Sequence, residues 1–151
     1  MARLFGSYSP DVPLDLSWNE SITLEDSTGT AIDLTGFAVR AQLRAVVPLL
    51  DPMTELPTTA PLLELTTPGY YGPTPPEVPV PTWPYYEGFT VPTPTNGTIL
   101  LAVPPGSFSA AVSPTNVKTK LYWDIRLANV STGYTIPVVS GKVVFLPAVT
   151  I

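Results

Sequence analysis

The chain contains no cysteine and no histidine. Disulfides, zinc fingers, Cys or His nucleophiles and imidazole general bases are therefore excluded. Charge is the next scarcity, at 13% of residues against roughly 25% in ordinary soluble domains. Basic residues are missing altogether between Arg44 and Lys118, an interval that holds Asp51, Glu55, Glu64, Glu77 and Glu87. The remainder is balanced, so the whole net charge of −5 sits in the middle of the chain. Such a protein has no electrostatic footprint for nucleic acid. Mean hydropathy is positive, yet no apolar run approaches the ~18 residues of a membrane span, so no membrane partner is expected. The opening MARLFGSYSPDVPL lacks the long apolar stretch of a signal peptide. A surface this poor in charge is weakly protected against association, which suggests that other protein covers it.

What is present is alternation. In Lys120 to Leu127, KLYWDIRL, the apolar Leu121, Trp123, Ile125 and Leu127 alternate with Lys120, Tyr122, Asp124 and Arg126. A period of two marks a strand with one buried face. Trp123 then belongs to a core, and Asp124 and Arg126 form a solvent-facing pair. Asn129 to Gly133 reads as a turn, because Asn and Gly tolerate positive φ. Tyr134 to Phe145 returns as the partner strand. Phe37 to Arg44 alternates as clearly, and Thr98 to Val103 does so after the turn Thr95-Asn96-Gly97. Leu14, Leu16 and Trp18 open a further strand that Ile22 and Leu24 continue or follow, and Asp26-Ser27-Thr28-Gly29 is a strong turn. Ser107 to Val112 reads as one helical turn, and Pro147 places the last strand at an edge or bulge.

Thirteen of the twenty prolines fall between Pro48 and Pro94. Proline lacks a ladder donor, so continuous central strands are excluded there. Only Leu62 to Thr66 and Gly88 to Val91 look like short strands. The stretch between them is polyproline-like or irregular. It also carries Tyr70, Tyr71, Trp83, Tyr85 and Tyr86, with Phe89 just beyond. Disordered linkers are poor in aromatics, so this segment docks on something. These six residues are the candidate protein interface, since Tyr and Trp are favoured at interface hot spots. Two other readings stand beside it. Trp83, Tyr85 and Tyr86 would make a platform for sugar rings, or the segment folds back over its own domain.

The 151 residues suit a single all-β domain, a β-sandwich or partly open barrel of about seven to nine short strands. Residues 1–13 read as an extended arm and 67–94 as a Pro-rich, aromatic insertion. No catalytic residues, metal ligands or cofactor site emerge. The acids lie mostly in turns and on solvent faces, and Asp26-Ser27-Thr28-Gly29 lacks the spaced acids and closing Glu of a calcium loop. The PxxP stretches at Pro73–Pro76 and Pro81–Pro84 have no flanking basic residue for a groove-binding motif.

Three segments together carry a resemblance. Glu25 to Arg44, EDSTGTAIDLTGFAVRAQLR, has an acid, a turn, an Ile-Asp-Leu-Thr-Gly run and an alternating strand ending in Arg. Asn96 to Val103, NGTILLAV, follows, and then Leu121 to Thr150 with its Tyr-Trp-Asp-Ile strand, polar turn and closing Gly-Lys-Val-Val strand. In this order they resemble a small β domain of tailed-bacteriophage virion structural proteins, found in tail, baseplate and fibre-adaptor proteins, with related sandwiches among head decoration or cement proteins. The resemblance implies a non-enzymatic virion protein, assembled in the bacterial host cytoplasm. It implies other virion proteins as partners, the major capsid protein or tail and baseplate proteins, and a homo-oligomer such as a trimer. A decoration or cement role comes first, a neck, tail or baseplate adaptor second, and a carbohydrate-binding module for host glycans third.

Overall fold

A computed structural model describes residues 6–7, 10–13, 18–45, 52–53, 60–72, 78–104 and 119–146. The reading of 107–112 as a helical turn, the alternation at 14–17, the motif at 73–76 and the bulge at 147 lie outside these residues.

Ten strand segments form two sheets. They are β1 (Gly6–Ser7), β2 (Asp11–Pro13), β3 (Trp18–Thr23), β4 (Phe37–Arg44), β5 (Leu63–Thr66), β6 (Tyr85–Tyr86), β7 (Phe89–Thr90), β8 (Thr98–Val103), β9 (Thr119–Asn129) and β10 (Thr135–Leu146). The larger sheet runs β1-β10-β9-β4-β5-β6, with β2 also on β10, and the smaller runs β3-β8-β7. The chain is all-β, consistent with the expected sandwich or partly open barrel. The strongest alternation became the longest strands: β9 pairs antiparallel with β10 on one side and β4 on the other. Gly6 faces Val139 and Asp11 faces Val144, both parallel and at the same offset, so β1 and β2 follow one track along the β10 edge.

The core lies between the sheets. Val39, Ala41 and Leu43 of β4, Leu63 and Leu65 of β5, and Leu121, Trp123, Ile125 and Leu127 of β9 are all buried. Trp18, Ile99, Leu101, Val103 and Phe89 meet them from the smaller sheet. Trp18 is the central contact, with its ring centroid 5.6 Å from Trp123 and 5.9 Å, edge-on, from Phe145. Burying each such aromatic contributes about 1.5–3 kcal/mol or more. Gly141 stands opposite Trp123 in the register, leaving that position of β10 without a side chain. The register of β10 shifts between Pro137 and Val139, where proline cannot donate to the ladder and a bulge absorbs the extra residue.

Two glycines sit where backbones approach too closely for a side chain. Gly88 carries the chain from β6 in the larger sheet to β7 in the smaller, and an added Cβ there would sit 3.0 Å from the Ala102 carbonyl. Gly97 ends the 3-10 turn Pro94–Asn96 with φ +69°. An added Cβ there would lie only 2.6 Å from the Leu24 carbonyl, whose own N–H takes the Gly97 oxygen.

Candidate functional site

The aromatic insertion packs on its own domain. β6 adds parallel to β5, with Tyr85 opposite Glu64 and Tyr86 opposite Leu65. Tyr70, Tyr71 and Tyr85 stack edge to face at centroid distances of 4.8 and 4.9 Å. Tyr70 also lies 5.3 Å from the Arg40 guanidinium, a cation–π contact. Burial pushes the Tyr70 phenol above its ordinary pKa, with Arg40 opposing. The neck of the excursion is closed by paired hydrogen bonds between Gly72 and Val78, and Glu87 accepts from the Gly69 N–H. Of the six expected interface residues, Tyr70, Tyr71, Trp83, Tyr85 and Tyr86 are partly buried in this cover. Phe89 is fully buried and belongs to the hydrophobic core between the sheets.

Beneath the cover, the outer face of the larger sheet is a buried charge network. Arg40 Nη2 donates to Glu64 Oε2 at 2.7 Å, and Gln42 Nε2 donates to the same oxygen. Arg44 donates to Gln42 Oε1 and, at 3.2 Å, to Asp124 Oδ1. Arg126 Nε donates to Asp124 Oδ2 at 2.7 Å. The chain of contacts crosses β5, β4 and β9. Asp124 and Arg126 do pair, but the expected solvent exposure is corrected: the Arg126 side chain is 6% exposed and Asp124 16%. Alternation along a strand reports two faces and is silent on what covers the polar one. Burial pushes Arg44 below its ordinary pKa while Asp124 pulls the other way. Among the described residues, five buried polar atoms here have no hydrogen-bond partner: Arg40 Nε, Glu64 Oε1, Thr66 Oγ1, Tyr71 Oη and Trp83 Nε1. All belong to β4, β5 or the aromatic cover. Among the described residues, no group of three or more carboxylates is placed to hold a metal.

Two surfaces remain open, and neither carries charge. The outer face of the smaller sheet presents Asn19, Ser21, Thr23, Thr90, Leu100 and Ala102, all exposed, with Thr98 half-buried and its Oγ1 3.2 Å from that of Thr23. Among the described residues, β3 and β7 pair only with β8, so both edges of this sheet are open. The second surface is a groove of about 630 Å³ where the insertion meets the β9–β10 turn. Phe37, Tyr70, Val78, Phe89, Val91 and Val130 supply its apolar walls. No sequence signal marked the groove, because its walls come from five separated segments.

Comparison with models of known protein families yields no match, and comparison with curated proteins yields none either.

Proposed function

We propose that this chain is a non-enzymatic structural protein of a tailed-phage virion, acting as a capsid decoration or cement protein at joints between capsid subunits. The observation that carries the reading is the charge-free, exposed outer face of the β3-β8-β7 sheet, whose outer strands pair only with β8 among the described residues. A chain with so few charges leaves its association surfaces unprotected by design of composition. The segments that resemble phage virion domains supply β4, β8, β9 and β10, which form the frame of both sheets. The working surface of a cement protein is then the uncharged sheet face. The Pro-rich insertion stiffens the opposite side by closing over the buried charge network.

A neck, tail or baseplate adaptor uses the same kind of surface and differs in copy number. The sugar-platform reading of Trp83, Tyr85 and Tyr86 is less favoured, because all three are half-buried and Tyr85 meets Tyr71 edge to face. The test is a stained gel of purified particles. A cement role predicts a band with molar intensity comparable to the major capsid protein, whereas a few to a few dozen copies selects the adaptor. Absence from purified particles overturns both.

A further inference from the structure

We infer that the tyrosine cover, residues 67–72 and 78–87, is a strap that opens while both sheets stay folded. Opening bares the charged face of β4, β5 and β9 and frees the outer edge of β5. The make-up of the seam is the first reason. The layer between the sheets is apolar, and among the described residues it leaves no buried side-chain nitrogen or oxygen without a hydrogen-bond partner. All five such atoms lie at the seam: Arg40 Nε, Glu64 Oε1 and Thr66 Oγ1 on the sheet, Tyr71 Oη and Trp83 Nε1 in the cover. Parting the seam gives these groups to water, whereas parting the apolar layer exposes hydrocarbon. The free energy of a local opening is therefore lowest along this plane.

The second reason is how little backbone holds the cover down. β6 meets β5 in only two register pairs, Glu64 with Tyr85 and Leu65 with Tyr86. The Glu64 N–H crosses the seam to the Pro84 carbonyl at 3.0 Å. β4 and β9, by contrast, stay in register from Phe37–Asn129 to Arg44–Tyr122. The bonds between Gly72 and Val78, and from the Gly69 N–H to Glu87, lie within the cover and do not tie it to the sheet. Tyr86 is the cover aromatic that packs against the apolar core, and this contact keeps the closed form dominant.

The third reason is what lies beneath. Arg40, Arg44 and Arg126 are three of the seven basic residues in the chain, and they pair there with Glu64 and Asp124. Burying ion pairs carries a desolvation cost that opening returns. The pairs span β4, β5 and β9, so they persist when the cover lifts. The open form then offers a charged surface, unlike the outer face of the smaller sheet.

The inference concerns the isolated domain and stands apart from any place in a virion. Native-state hydrogen exchange of the full chain, followed by NMR, tests it. The Glu64 N–H and the Trp83 indole N–H report the seam, and the Ile125 N–H, in the twice-paired strand β9, reports the frame. Both seam reporters are expected to exchange about tenfold or more faster than Ile125, with a weaker dependence on urea. Tyr71→Phe and Thr66→Val each remove one unpartnered hydroxyl with little change of shape. Each should slow Glu64 exchange about threefold or more, because the closed form no longer buries that group unpaired. Glu64 and Trp83 exchanging as slowly as Ile125, with the same urea dependence, overturns the strap. Variants that leave Glu64 exchange unchanged or speed it overturn the seam as the plane of opening.

Discussion

Glu64 is the residue on which the outer layer of the larger sheet depends. Its side chain is fully buried, and one oxygen receives both Arg40 and Gln42. A buried ion pair contributes little net stability against an apolar replacement, yet removing one partner strands the other. Glu64→Ala is expected to cost about 3–5 kcal/mol, because Arg40 keeps its charge in a site only 18% exposed. Glu64→Gln retains an acceptor for Gln42 and costs less. Urea unfolding midpoints of the two variants check both the size and the order.

At the scale of elements, the turn after β3 gives a pH dependence whose sign is set by geometry. Asp26 Oδ1 accepts from the Thr28 hydroxyl and from the N–H groups of Thr28 and Thr30. These bonds, the Thr28 hydroxyl first, hold the Asp26 pKa below its ordinary value. Asp33 is lowered in the same direction by Thr35. A depressed carboxylate stabilises the fold at pH above its unfolded pKa, and that stabilisation is lost as pH falls through the folded value. Stability should therefore decline on the acid side, below the ordinary aspartate range, and Asp26→Asn should flatten that decline. Urea midpoints measured as a function of pH test it.

The strands most legible beforehand were β4, β8, β9 and β10, because each has one face against the core and its period of two survives; the short β5 and β7 were legible as apolar pieces between prolines. β6 was not legible. Two residues among prolines carry no period, and only the parallel pairing with β5 makes Tyr85 and Tyr86 a strand. The groove was hidden for a related reason, since it is assembled from five segments far apart in sequence, the ends of β4 and β9 among them. Polar alternation misled at Gln42, Arg44 and Arg126, which are buried although each points away from the hydrophobic core.

At the scale of the whole molecule, the larger sheet is faced by two unlike layers. One is apolar and centred on Trp18, Trp123 and Phe145; the other is polar and roofed by tyrosines. The track of β1 and β2 closes the β10 edge and places Val12, fully buried, in the core. A chain lacking residues 1–13 is expected to lose about 1.5–3 kcal/mol for Val12 alone. It also opens β10 to edge-to-edge pairing. A lowered urea midpoint together with concentration-dependent light scattering is the expected outcome.

That same track has a consequence for how the protein is made. The strand that seals the β10 edge leaves the ribosome early, and the strand it seals leaves late, with most of the chain between Gly6 and Val139 synthesised in the interval. The early segment has no partner until β10 has been made. Contacts of such high sequence separation slow folding and lengthen the exposure of unpaired edges. Closing the sheet therefore waits on β10, and crowded co-expression is the condition under which neighbouring nascent chains compete for the open edge.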